Sequence, residues 1–116
     1  MAKSNHVVKV FELASGTHAV VDPGILWAAA GDTVEFHNDT AFQAKLLVAE
    51  GGVLDGVQSM QGKTVNRGGV RGFTVLAAPS GVYEYVVAVK LRKGSHVFAI
   101  GASTPKIIIR GSSDGS

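Results

Sequence analysis

No cysteine occurs anywhere in the chain. That removes disulfides, thiolate zinc sites, iron–sulfur clusters and cysteine nucleophiles from consideration. Charge is scarce as well. Charged residues make up 17% of the sequence, against about 25% in an average soluble domain, so uncharged and apolar groups must cover much of the surface. Long apolar runs are also missing. The longest are Ile25-Leu26-Trp27-Ala28-Ala29-Ala30, ended by Gly31, and Tyr85-Val86-Val87-Ala88-Val89, ended by Lys90. Neither approaches the ~18–20 apolar residues of a membrane span. Met1-Ala2-Lys3-Ser4-Asn5-His6 leads into a segment containing Lys9 and Glu12. No uncharged hydrophobic stretch follows, so no signal peptide is expected, and a native Met1 implies a cytoplasmic protein.

What is present is alternation. The 116 residues suit a single domain, large enough to build a core without disulfides or a structural metal. Period-2 patterns recur along the chain, and no convincing helical stripe exceeds two turns. His6–Leu13 reads as a strand with Val8 and Val10 on one face and Val7 and Lys9 on the other. Ile25–Ala29, Thr33–His37, Ala44–Ala49, Gly72–Leu76, Val82–Val89 and Lys106–Arg110 read likewise, with His96–Ile100 a weaker strand. Glu50 to Gly72 carries seven glycines and few large apolar residues. It is expected to form long loops around at most one short strand or helical turn. Residues 111–116 hold only Gly, Ser and Asp and are expected to be a disordered tail. Short strands separated by Gly, Pro, Asn and Asp turns predict an all-β Greek-key β-sandwich of about seven to eight strands over residues 1–110.

Three segments, in order, carry a family resemblance. Gly31-Asp32-Thr33-Val34-Glu35-Phe36-His37-Asn38-Asp39-Thr40 resembles the cupredoxin "GDTVxFxN" strand and turn. Pro79-Ser80-Gly81-Val82-Tyr83-Glu84-Tyr85 resembles the "PGxYxY" start of the penultimate strand, and Pro105-Lys106-Ile107-Ile108-Ile109 resembles the final strand. The likeness spans about residues 20–110 and implies a cupredoxin-like fold; fold alone does not give function. A blue-copper site needs two imidazoles, a thiolate and a weak axial ligand. By the resemblance, Ala44 stands where the first histidine would be, Val87 where the cysteine would be, and Lys90 near the second histidine. Met1 and Met60 lie elsewhere. The expectation is a cupredoxin-like domain without type-1 copper ligands and with no cofactor.

Other chemistry has little support. His6, His18, His37 and His96 include no pair at i,i+2 or i,i+4, so no local chelate is encoded. Gly62-Lys63-Thr64 invites a phosphate-loop reading, but the glycine required five residues before Gly62 is Val57. Asn38-Asp39-Thr40 fits a glycosylation sequon, though a turn with side chains bonded to backbone explains the same residues. There is no G-x-S-x-G for a nucleophile. Trp27, Phe36, Phe73, Tyr83 and Tyr85 are all expected in the core.

Charge is unevenly divided. Residues 1–55 carry three basic against seven acidic residues, and residues 56–116 eight against two. The leading expectation is a non-catalytic binding or assembly domain acting through protein–protein contacts. Strand Val82–Val89 is apolar on both faces, whereas a lone sandwich should show one polar face. That predicts a homo-oligomer joined through Val82, Val86 and Ala88, unless the glycine-rich segment covers them. One alternative is weak binding of nucleic acid or acidic polysaccharide through Lys63, Arg67, Arg71, Lys90, Arg92 and Lys93. The other is an enzyme or metal protein with a site assembled across strands.

Overall fold

Strand alternation places the valines of β1 (Asn5–Glu12) with Val8 and Val10 buried and Val7 and Lys9 exposed. The computed structural model describes residues 4–12, 19–77, 79–90, 96–99 and 105–109, with main chain alone for 90 and 96–99. The expected tail lies outside these residues. The other strands are β2 (Ala19–Asp22), β3 (Ile25–Ala28), β4 (Thr33–Asn38), β5 (Ala44–Val48), β6 (Lys63–Val65), β7 (Val70–Thr74), β8 (Gly81–Lys90), β9 (His96–Ala99) and β10 (Lys106–Ile109).

They form two sheets. The first has the order β2-β1-β4-β7, with β1 and β4 parallel. The second has the order β3-β10-β8-β5-β6, with β3 and β10 parallel. β8 organises the second sheet. On one edge, β10 pairs with Gly81–Glu84 and β9 with Val87–Lys90; on the other, β5 pairs with Tyr85–Val89. The sheets pack face to face as a β-sandwich.

The ten strand segments among the described residues exceed the seven or eight expected, for two physical reasons. The chain changes sheets at Asp22-Pro23-Gly24, which splits one bent strand into β2 and β3, as sandwich corners do; the Asp22–Pro23 peptide is cis. The glycine-rich segment also holds more structure than its composition suggests. β6 and the start of β7 lie within it, and Leu54 bridges to Val75. Asp55 N–H donates to Thr74 O at 2.9 Å and Leu76 N–H to Val53 O at 2.8 Å. Val53, Leu54 and Val57 are buried in the core. This segment therefore closes the sandwich from within and leaves Val82 uncovered at 57% exposure.

The core centres on three rings. Phe36 meets Phe73 edge-on at 5.9 Å and Tyr85 at 5.6 Å between centroids. Val8, Val34, Leu46, Val89 and Ile107 surround them at 1% exposure or less, each contributing about 1.5–3 kcal/mol by leaving water. Trp27 departs from expectation: it is 53% exposed. Its strand is apolar at every position, so sequence could not fix the phase, and the pleat turns Leu26 and Ala28 inward instead.

Candidate functional site

At one end of the sandwich, Asn38 ends β4 and is 1% exposed. Its Nδ2 donates to Phe42 O at 2.7 Å, Val65 O at 2.9 Å and Asn66 O at 3.3 Å. Its Oδ1 accepts from Thr40 N at 3.0 Å and Thr40 Oγ1 at 2.6 Å. Asn38 also bonds through its main chain to two glycines: Asn38 N–H donates to Gly69 O at 2.9 Å, and Gly68 N–H donates to Asn38 O at 2.9 Å. That contact needs the turn that Gly68 makes at φ 70°, where a side chain would be strained. The sequon is thus a structural turn, with its amide nitrogen buried and fully used.

Beneath this latch lies a cavity of about 10 Å³, barely the ~10–15 Å³ that one water requires. Ala44 from β5 and Val87 from β8 line it, with Val10, Phe36, Leu46 and Val65. Among the described residues, Asn38 is the one polar member of the wall. The register explains the convergence: Ala44 pairs with both Val89 and Val65, and Leu46 pairs with Val87.

Solved structures share this architecture. A reduced, Cu(I) form of an amicyanin variant at pH 4 superposes with a TM-score of 0.57 at 16% identity, covering 95% of this chain and 86% of that one. An oxidised amicyanin variant gives 0.55 at 18% identity, over 91% and 82%. The fold is cupredoxin-like. No protein-family model matches this cupredoxin-like domain, and no curated protein sequence does.

The residues do not fit a type-1 copper ion. Ala44 and Val87, which the resemblance set in ligand positions, do meet at one cavity, but they present methyl groups to it. Asn38 has no free donor or acceptor there. Among the described residues, no group of three or more histidines or carboxylates is close enough to hold a metal. Adding copper(II) is expected to give no intense visible charge-transfer band, and absorption spectroscopy checks this.

The titratable groups near the sandwich surface serve structure. Asp32, 8% exposed, accepts from His6 Nε2 at 2.8 Å, Ser4 N at 3.1 Å and Ala29 N at 3.0 Å. Burial alone would raise its pKa. Those three hydrogen bonds and the nearby His6 charge outweigh burial and hold the carboxyl below its ordinary value. His37 Nε2 lies 3.1 Å from Glu35 Oε1 on the outer face of the first sheet, as their shared strand parity predicts. Lys63 of the rejected phosphate-loop pattern sits on β6, without a helix following.

The basic residues are only partly described. Arg67 is exposed in the turn between β6 and β7. Arg71 is exposed on β7; its Nη1 donates to Thr64 O at 2.9 Å, and its guanidinium stands 5.7 Å from the Phe73 ring centre. The Arg71–Thr64 contact joins β7 to β6, the strand of Lys63, along a seam between the sheets. The main chain of Lys90 reaches the same end of the second sheet, because Val89 and Val65 both pair with Ala44. Arg92 and Lys93 lie outside the described residues.

The three residues expected at an oligomer face differ in exposure. Val82 is open, Val86 half-buried, and Ala88 buried at 9%. Sequence reasoning missed Trp27 on the same face, because Ile25-Leu26-Trp27-Ala28 has no polar residue to fix which side of β3 faces the core.

Proposed function

We propose that this copper-free cupredoxin-like domain is a non-catalytic binding or assembly module, acting through protein contacts on the outer face of its second sheet. One observation carries the reading. Ile108 pairs with Trp27 on one side and Val82 on the other, so three apolar side chains stand in a row across β3, β10 and β8. Trp27 is 53% and Val82 57% exposed, and Ile25 adds 49%. An open cluster of this kind is unfavourable in water and typical of recognition surfaces. The outer face of the first sheet is mixed: Lys9, Asp22, Glu35 and His37 lie there among the exposed Val7 and Val70.

Oxidative footprinting tests the proposal, because Trp27 is the sole tryptophan. Trp27 should be protected in extract of the organism that makes the protein and reactive in the purified, highly diluted domain. Equal oxidation in both overturns the reading. Equal oxidation together with heparin retention that falls steeply with salt transfers function to the anion alternative and its basic seam.

A further inference from the structure

The apolar row is flanked by a matched pair of charges. Lys106 stands directly opposite Glu84 across the β10–β8 ladder, one pleat along from Ile108 and Val82 on the same face. Consider a two-fold axis lying in the face, parallel to the strands, between β8 and β10. It exchanges the two strands, so Ile108 of one copy meets Val82 of the other, and Lys106 of one meets Glu84 of the other. A face whose acid and base exchange places under its own symmetry complements itself. Isologous contacts require that property.

The outer strands fit the same operation. It carries β3 over β5, and so brings Ile25 and Trp27 above the exposed end of β5, where Ala49 donates its N–H to Glu84 O. Ala49 and Gly51 there are small and exposed, with the exposed Glu50 between them. Lys45, the other described charge on this face, lies at its far end beside Ala88. Net charge adds little opposition, because the chain carries only +2, and repulsion between two copies is correspondingly weak.

We infer that the occupant of this face is a second copy of the same chain, packed sheet to sheet about a two-fold axis between β8 and β10. The inference rests on the proposed protein-binding role of the face. It makes Glu84 and Lys106 the residues that set register, and Trp27, Ile108 and Val82 the apolar centre. The patch is about two to three strand spacings of ~4.8 Å wide, smaller than a standard interface, so the dimer should exchange with monomer at micromolar concentration.

Sedimentation of the full chain across a concentration series, with Trp27 emission read in parallel, tests it. The expected result is reversible dimerisation with a blue shift of the emission at the same midpoint. Val82→Glu should weaken association about tenfold or more and leave the far-ultraviolet spectrum of the monomer unchanged. Trp27→Ser, at another exposed position, serves if Val82→Glu fails to fold. Glu84→Lys should weaken association, and adding Lys106→Glu should restore it. A wild-type monomer throughout the micromolar range overturns the inference, as does a dimer indifferent to Val82→Glu and Trp27→Ser. A monomer whose Trp27 is still protected in extract defeats the second copy while sparing the protein-binding role. Loss of both results defeats the role itself.

Discussion

Replacing Asn38 by aspartate is expected to destabilise the domain by about 4 kcal/mol at neutral pH, from one isosteric change. The amide nitrogen of Asn38 faces three carbonyl oxygens, those of Phe42, Val65 and Asn66, in a site 1% exposed. A carboxylate there exchanges three donated bonds for three repulsions and buries a charge. Both effects favour the protonated form, so the new carboxyl's pKa in the folded state rises above its unfolded value. A group with a raised folded pKa is bound more favourably below that pKa. The penalty should therefore shrink on acidification, though only in part, since one O–H cannot serve three acceptors. Denaturant unfolding at about pH 4 and about pH 7 checks this. Asp32 does not disturb the comparison, because its lowered pKa is common to both proteins and cancels in the difference. Asn38→Ala removes the same bonds without adding charge, and its cost should be nearly independent of pH. Equal penalties for Asn38→Asp at both pH values would contradict this account of the latch.

The legible parts of the sequence were those where alternation has a polar half. Lys9 lies between Val8 and Val10, and Glu35 between Val34 and Phe36, so one phase alone is acceptable and the structure adopts it. Tyr85, Val87 and Val89 were assignable because Glu84 marks the outward phase of β8. At Ile25-Leu26-Trp27-Ala28 no polar residue marks either face, and the expectation that Trp27 is buried failed there. β6, the one short strand allowed for in the glycine-rich segment, could not be placed within it for a different reason. Lys63-Thr64-Val65 is three residues long and has no periodicity of its own; its conformation comes from pairing with Leu46, Lys45 and Ala44. Val53, Leu54 and Val57 were hidden by irregular spacing among glycines, and their burial is set by tertiary closure against Val75 rather than by local pattern.

The candidate site was readable to the extent that missing chemistry is readable. The absence of cysteine follows from the sequence directly. The resemblance set Ala44 and Val87 in ligand positions; that they border one cavity comes from the register between β5 and β8, which the sequence does not give. Methyl groups in these positions also have a packing consequence. A metal's coordination bonds would cross-link the strand ends in that place; here the latch at Asn38 and the apolar contacts beneath it hold the same end together. The sheet-edge lysine and arginine positions carried no such constraint, since exposed charges on turns satisfy themselves in water whatever their spacing.

Phe36→Ala is expected to cost about 4–5 kcal/mol, the upper range for deleting a buried ring. Phe36 is 1% exposed and touches three features at once: the Phe73 ring, the Tyr85 ring and the cavity wall. Removing it forfeits two edge-to-face contacts, each worth about 0.5–1.5 kcal/mol beyond area burial. The space left would join the void already present, and the neighbours are poorly placed to fill it. Val10, Leu46, Val65 and Val87 are held by ladders on both sheets, and Tyr85 by paired strands on both edges of β8. Relaxation should be slight and most of the cavity cost retained. A domain of this size has only about 5–15 kcal/mol of stability in total, so the alanine variant should be largely unfolded at 37 °C if the wild type lies near the lower end of that range. Phe36→Leu keeps most of the volume but neither ring contact, and should lose only about 1–2 kcal/mol. Urea denaturation of both variants gives the comparison. A leucine variant as damaged as the alanine one would place the main contribution of Phe36 in its ring contacts. An alanine variant losing less than about 2 kcal/mol would mean that the sheets collapse onto the void, and that this end of the sandwich is less rigid than its paired strands imply.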